Sequence, residues 1–550
     1  MKRIPFWRTV FAFGICLLLV SQFSDGDSKM PSQNLTQGAA GSNDKYVRAC
    51  YFTNWAQYRP GCGKFQPEDY VSGLCTHILY AFAKFDSDFV AKPFEWNDLS
   101  EQWSKGQYEK INALKNLEYP LKTLLSFGGW NFGTPLFKSM SSSPASRRTF
   151  IESAMKLARD NGFDGIDIDW EYPSGAEDKA NLNALFKEMV DAAKKEARET
   201  GRAQMLVTSA VAAGTEKILA GYDVPSIAKY LDLLFVMSYD FHGGWESVTG
   251  LNAPLFKGKT DTAATAEWNV AGAANRWASL GMPREKIIVG IPTYGRGWTV
   301  TSPIGQRGIG APGAPAQSTS YAREVGMGAY YEFCELLANG AKRYFNKETK
   351  SPYLIYGDQW YSYEDPESIK NKANWIKENN FGGAFVWTLD FDDFNGMCPP
   401  TKQVQKPIRY PLIGKIAAEL GGFKFDNKPK PLQCEKLPVL KNMNVNTNSN
   451  TKSNENKNSN TDEASWPSPD TSNSESFETL IRTFGDSGNH KGEFQCDKDG
   501  FFEDPNNCAN FYQCANGVAY HKNCPSTLMF NIATYQCDYP NMVKCSAPPL

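Results

Sequence analysis

The stretch FDGIDIDWEYP sets Asp167, Asp169 and Glu171 at alternate positions. Alternate side chains of an extended strand share a face, so the three carboxylates line one side while Ile166, Ile168 and Trp170 face the other. Successive carboxylates are then about 6.6 Å apart along the backbone. Carboxylates crowded on a buried face cannot all ionise. Desolvation and mutual repulsion keep at least one proton on the row near neutral pH. A retained proton is the raw material of general-acid catalysis, and Glu171, last in the row, is the candidate donor. A calcium loop also gathers alternate Asp residues, but it needs Gly and polar spacers. Here the spacers are Ile, Ile and Trp.

The row must be carried by an element that aims it at a cleft. Between about Tyr46 and Phe425 eight short apolar runs recur: RACYFTNW, HILYAFA, KTLLSFGGW, FDGIDIDWE, QMLVTSAVAA, LDLLFVMSYD, KIIVGIPTYG and GGAFVWTLD. Segments such as SRRTFIESAMKLARDNG and KANLNALFKEMVDAAKKEARETG, apolar at three- and four-residue spacing, read as helices between them. Eight alternations of strand and helix predict an α/β fold, the (β/α)8 TIM barrel, whose active sites sit at the C-terminal mouth. Glu171 is the member of the row nearest that mouth. Other runs end in groups aimed at the same place: Met237, Tyr239 and Asp240, then Tyr294 and Arg296, then Trp387. The long seventh connection, with the strand-like pieces AYYEFC, SPYLIYG and QWYSY, predicts a small α+β insertion at about 298–370.

A net charge of -2 offers no field for nucleic acid or an anionic membrane, so an uncharged partner is expected. Fourteen Trp and 25 Tyr could stack on apolar faces of sugar rings, although cores use the same residues. Lys2, Arg3 and Arg8 precede an apolar run from Val10 to Val20 that is too short to span a bilayer, which predicts a secretory signal peptide over 1–24 and an extracellular protein. Its removal takes Cys16 and leaves an even number of cysteines for disulfides. With only four His, no metal site is expected, and no cofactor. Residues 25–45 form a polar segment holding the sequon Asn34-Leu35-Thr36. The barrel is expected over 46–426, and an Asn/Ser-rich linker with little to bury over 435–492. A small module over 493–548 carries Cys496, Cys508, Cys514, Cys524, Cys537 and Cys545. Too small for a core of its own, it requires disulfides whose pairing the sequence leaves open.

These residues resemble family 18 of the glycoside hydrolases, the chitinases, over essentially the whole chain. The family's acidic signature is present as Asp164, Asp167, Asp169 and Glu171. SFGGW (with Gly129 and Trp130), MSYD, YGR and GGAFVW match further blocks in order, and CYFTNWAQYRPG is similar to the opening of secreted animal chitinases. The tail resembles the chitin-binding type 2 (peritrophin-A) module. The resemblance implies an endo-acting, retaining chitinase, monomeric, binding chitin and its oligosaccharides. In it the substrate's own N-acetyl oxygen attacks the anomeric carbon to give an oxazolinium. Glu171 would donate the proton and then activate water, Asp169 would orient the acetamido group, Asp167 would hold or share the proton of Asp169, and Tyr239 would bind the acetamido oxygen. Asp240, Tyr294 and Arg296 would grip the sugars and Trp387 would underlie the distorted ring. Tyr51, Trp55, Phe82, Trp130 and Trp245 would stack on neighbouring sugars. It further implies the disulfides Cys50–Cys75, Cys334–Cys398, Cys496–Cys514, Cys508–Cys545 and Cys524–Cys537, leaving Cys62 and Cys434 unassigned. A non-hydrolytic lectin and an endo-β-N-acetylglucosaminidase acting on glycoproteins are the rival readings. The presence of Glu171 opposes the first, and the tail module opposes the second.

Overall fold

The structure, a computed structural model, describes residues 45–440 apart from 103, 260, 401–405, 423–427 and 430–433, together with residues 500–538 apart from 516–517, 525–528 and 532–535, and residue 543. The expected leader, the Asn34 sequon and the Asn/Ser-rich stretch from 441 lie outside the described residues.

Eight strands form a closed parallel barrel: β1 (Val47–Thr53), β2 (His77–Phe85), β3 (Lys122–Gly128), β4 (Gly165–Asp169), β5 (Leu206–Val211), β6 (Leu233–Val236), β7 (Ile287–Pro292) and β8 (Gly383–Trp387). Each strand pairs with the next, and β8 returns to pair with β1. The period of two in the sequence divides the apolar residues into two sets. Ala49, Tyr51, Leu79, Leu124, Phe235, Ile288 and Phe385 fill the lumen. Cys50, Phe52, Ile78, Ile166, Ile168 and Val289 pack outward against the helices. The lumen is therefore a packed core and not a pore. On β4 the outward set leaves Asp167 and Asp169 pointing inward, as the alternation requires.

The helices between strands begin and end where the sequence marks them. The helix Pro144–Asp160 starts at Ser143, whose hydroxyl accepts from Ser146 N at 3.1 Å, with Pro144 at the first position. The helix Gly175–Thr200 stops at Gly201, which adopts φ 70°, the left-handed conformation that glycine takes at helix ends.

The insertion is an antiparallel sheet ordered Gly313–Pro315, Tyr294–Val300, Gln359–Ser362, Ser351–Tyr356 and Lys342–Asn346, with Met327–Ala329 also paired to Tyr294–Val300. Two expectations are corrected here. The sheet begins at Tyr294, before the anticipated 298, so Tyr294 and Arg296 belong to the insertion and not to β7. AYYEFC, read as strand-like, lies mostly in the helix Tyr330–Ala338. Its Tyr330, Phe333, Cys334 and Leu337 fall at helical spacing, and Glu332 accepts from Ala329 N at 2.9 Å to cap the first turn.

Cys50–Cys75 and Cys334–Cys398 are bonded, as the resemblance implied. Cys62 and Cys434, previously without partners, form a third bridge. It belongs to a strap. Cys62 N donates to Glu435 O at 3.0 Å, Leu437 N to the Tyr321 hydroxyl at 2.7 Å, and Ser320 N to Val439 O at 2.9 Å. Residues 434–440 are thus bound to the barrel and its insertion, so a linker starting at 435 is corrected to one starting no earlier than 441. Replacing Cys62 and Cys434 together with Ser is expected to cost about 2–4 kcal/mol in a denaturant melt, because the bridge closes a very long loop. Oligomer turnover should be unaffected; an unchanged melting midpoint would show that the strap holds without the bridge.

In the C-terminal module the strands Gly500–Glu503, Asn510–Ala515 and Val518–Asn523 form an antiparallel sheet beside the hairpin Met529–Asn531 and Gln536–Asp538. Phe511 stacks on Phe530 with centroids 4.5 Å apart, and Tyr58 from the turn after β1 joins this small cluster with Cys524. Cys508 and Cys524 each take part in a disulfide. The implied pairings Cys496–Cys514, Cys508–Cys545 and Cys524–Cys537 each involve a residue or side chain outside those described.

Candidate active site

β4 ends at Asp169, and the chain leaves the sheet over Trp170 and Glu171. The Trp170 indole stacks on Phe137 at 5.4 Å and its Nε1 donates to Thr134 Oγ1 at 3.3 Å. Thr134 Oγ1 donates in turn to the carbonyls of Glu171 and Tyr172, at 3.2 and 3.3 Å. A buried ring therefore fixes the backbone that presents Glu171.

The three carboxylates have different surroundings. Asp167, fully buried, accepts hydroxyls from Tyr51 at 2.9 Å and from Ser126 and Thr208 at 2.7 Å each. Strand register accounts for two of these, since Ser126 on β3 and Thr208 on β5 lie directly beside Asp167. Burial pushes its carboxyl above the ordinary range while the three donors pull it back. Asp169 is equally buried, yet its Oδ1 has no hydrogen-bond partner. Burial, reinforced by the charges of Glu171 and Asp167, raises this carboxyl well above its usual value. Glu171 is raised to about 7, by burial first and by Asp240 also, against the lowering influence of the Tyr172 hydroxyl and the charge of Lys217. Near neutral pH the row therefore retains a proton.

Around the row stand the other expected residues. Tyr239, which follows β6, is held in its neutral, donating form by burial and by the neighbouring Tyr294, Asp169 and Asp240. Met237 beside it is half-buried. Asp240 adopts φ 57° and is tied on all sides. Its amide donates to Asn252 Oδ1 at 2.9 Å, and its carboxylate accepts the Tyr294 hydroxyl at 2.7 Å and Arg296 Nε and Nη2 at 2.8 Å each. A carboxylate gripped by a bidentate guanidinium and a phenol is a poor nucleophile.

Aromatic rings form the walls. Trp55 stacks on Phe82 at 5.9 Å and Phe82 on Trp387 at 6.0 Å, with interplanar angles of 25° and 29°. Gly129 makes room for this row: at φ +88° a Cβ there would lie 2.6 Å from the Phe82 ring. Trp130 and Trp245 are 74% and 60% exposed, unusual for rings this large and apolar. The Arg296 guanidinium lies 5.4 Å from the Trp245 ring centroid. Trp387 is held from behind, since Thr293 N donates to its carbonyl at 2.9 Å and Thr388 N donates to Thr293 Oγ1 at 2.8 Å.

Tyr51 is placed differently from the expectation that it stacks on a sugar. It is 1% exposed, its ring packs 5.2 Å from Trp387, and its hydroxyl is occupied by Asp167. Its inward position on β1 puts it beneath the groove floor. Sequence reasoning missed Ser126, Thr208, Thr134, Asn252 and Tyr172. Ser126 and Thr208 carried a usable signal, a polar residue at an inward position of an apolar strand. Thr134 and Asn252 lie on connections whose path only the fold defines.

A closed parallel barrel whose mouth joins a proton-retaining carboxylate row to a wall of exposed indoles defines a class, a barrel hydrolase suited to a neutral sugar chain. Residues 47–392 match the family described as Glycosyl hydrolases family 18, and residues 496–545 match the Chitin binding Peritrophin-A domain. The chain belongs to family 18 of the glycosyl hydrolases. It is 42% identical to a probable endochitinase of Caenorhabditis elegans, the alignment covering 92% of each chain. It is 43% identical to an endochitinase of Brugia malayi over 90% of this chain and 94% of that one. The solved structure of an immunomodulatory active chitinase from Trichuris suis superposes with a TM-score of 0.66 at 48% identity, covering 68% of this chain and all of that one.

Proposed function

We propose that this protein is a secreted, endo-acting chitinase that hydrolyses β-1,4-linked N-acetylglucosamine polymers with retention of configuration. The observation that carries the reading is the buried Asp169 Oδ1 without a partner, set between Asp167 and the proton-retaining Glu171. A buried acceptor left unpaired costs free energy until a donor arrives. The N–H of the substrate's acetamido group supplies such a donor. Orienting that group turns its carbonyl oxygen toward the anomeric carbon, where it attacks while Glu171 protonates the departing oxygen. The C–O bond to the leaving sugar breaks, an oxazolinium forms, and Asp169 stabilises its N–H. Glu171, now a carboxylate, takes a proton from the water that opens the ring. Retention follows because two displacements occur at one carbon. Asp240 is committed to Arg296 and Tyr294, which favours the substrate over a protein carboxylate as nucleophile. Tyr239 donates to the acetamido oxygen, Arg296 and Asp240 meet the sugar hydroxyls, Met237 and Gly129 shape the floor, and Trp387 lies under the reacting ring. Trp55 extends the track on one side, Trp130 and Trp245 on the other.

No helix among the described residues is long and apolar enough to cross a membrane, and in this reading the leader over 1–24 exports a monomer. Incubation with chitin oligomers and with an N-glycosylated protein, with early products read by proton NMR, tests the proposal. Internal cleavage of the oligomers with β-anomeric products is expected; release of glycans from the protein alone would overturn the substrate assignment.

The chitin-binding module over 493–548, tethered through the segment from 441, raises the local concentration of the enzyme on solid chitin. Ending the chain after Leu440 keeps the strap intact. That truncation is expected to lower activity on insoluble chitin by about tenfold or more while leaving soluble oligomers within twofold. Equal losses on both substrates would mean that the module serves the barrel itself and not the polymer.

A further inference from the structure

The clamp of Asp240 and Arg296 draws its two halves from separate sheets. Asp240 follows β6 of the barrel, whereas Tyr294 and Arg296 stand on the strand Tyr294–Val300 of the insertion. One residue on the connection after β6, Asn252, touches both. Its Oδ1 accepts from the Asp240 amide at 2.9 Å, and its carbonyl oxygen accepts from the Phe241 amide at 3.0 Å. On the insertion side its Nδ2 donates to the Tyr294 carbonyl at 3.4 Å and its amide donates to Ser362 Oγ at 3.0 Å. Ser362 lies directly across the sheet from Arg296.

Asn252 is itself held firmly. Lys372 Nζ donates to the carbonyl of the adjoining Ala253 at 2.7 Å and pairs with Glu364 at 2.5 Å, and both charged side chains are buried. Asn252 is 1% exposed, so a sugar cannot reach it, and any effect on substrate passes through its neighbours. Asp240 is the neighbour that needs support, because its φ of 57° lies in the left-handed region that side chains disfavour. A carboxamide suits this place. It offers an acceptor to Asp240 and a donor to Tyr294 from one planar group, which neither a carboxylate nor an apolar side chain can do.

We propose that Asn252 is a positioning residue for substrate binding: by holding the Asp240 turn against the strand of Tyr294 and Arg296, it fixes how the carboxylate and the guanidinium together meet a sugar. The inference rests on Asp240 and Arg296 being that grip. Arg296 presents both Nε and Nη2 to Asp240, a bidentate pairing whose geometry tolerates little displacement. Without the Asn252 carboxamide the Asp240 amide loses its acceptor and the left-handed turn is free to relax. Relaxation carries the carboxylate out of the guanidinium fork.

The test is kcat and KM on a soluble chitin oligomer for N252A, R296A and the double variant, with the folded fraction of each read from its melt. N252A is expected to raise KM about tenfold and to leave kcat within about threefold, since a ground-state grip is what it disturbs. R296A should raise KM at least as much. Adding N252A to R296A should then raise KM by less than about twofold, because the clamp that Asn252 serves is already gone. S362A frees the Asn252 amide from the insertion while leaving the bond to Asp240, and it should raise KM in the same direction; it replaces N252A if that variant does not fold. An unchanged KM in the folded variant overturns the proposal. So does a full tenfold rise on top of R296A, which would mark a general loss of packing. Failure of the underlying assignment is separable, because R296A would then keep the parent KM, and the proposal would fall with the grip itself.

Discussion

Glu171→Gln is expected to lower kcat on chitin oligomers by about a thousandfold or more, with oligomer affinity changed by only a few-fold. Gln keeps the shape and a hydrogen-bonding N–H but has no proton to give, so ground-state contacts survive while bond cleavage loses its acid. In the parent enzyme the same logic fixes the direction of the pH dependence. With Glu171 raised to about 7, kcat/KM should fall as pH climbs through that value, because the donor is lost. Stability must move the opposite way on substitution. In the unfolded chain this carboxyl ionises from its ordinary 4.5, whereas in the fold it keeps its proton to about 7. Folding is therefore penalised increasingly between those values and fully above them, by at most about 3 kcal/mol. E171Q should melt higher than the parent at pH 8 and equally at pH 4. A variant that loses activity while gaining stability has not lost its fold; one that retains near-normal turnover removes Glu171 from the mechanism.

Asp169→Asn should cost about a hundred- to a thousandfold in kcat for a different reason. The Asn side chain is of equal size but brings no negative charge to the oxazolinium and can present an N–H where an acceptor is required. Leaving-group chemistry separates the two roles. A 2,4-dinitrophenyl glycoside departs without protonation, so E171Q should recover much of its rate for the first step on that substrate, while D169N should not. Rescue of both variants to the same degree would mean that Asp169 serves only to adjust Glu171.

Much of this site could be read before any fold was known, because period-two alternation is a local property. Asp167, Asp169 and Glu171 fall on one face from spacing alone, and the outward packing of Ile166, Ile168 and Trp170 agrees with it. The eight runs foretold all eight barrel strands, since strands buried on both faces read as largely apolar sequence, with FDGIDIDWE set apart by the acids on its inward face. Errors arose where a window covered fewer than two turns or where a new element followed a strand at once. AYYEFC shows too little of the helix Tyr330–Ala338 for its repeat to appear. Tyr294 and Arg296 sit so close after β7 that they looked like its end, although they open a new sheet.

The sequence by itself determined which residues could do chemistry and that they would meet at one end of a barrel. Type and spacing suffice for that, because strand geometry is nearly fixed and parallel barrels expose the same ends of all their strands. Only the tertiary structure decided how the work is divided. Tyr51 became a support for Asp167 and not a sugar platform, because an inward position on β1 lies under the floor. Asp167 is satisfied by Ser126 and Thr208 through strand register, whereas Asp169 Oδ1 faces no donor. Cys62 met Cys434, and Asn252 met Asp240. Such differences depend on which neighbours desolvate or hydrogen-bond each group, and those neighbours come from residues far away in the chain.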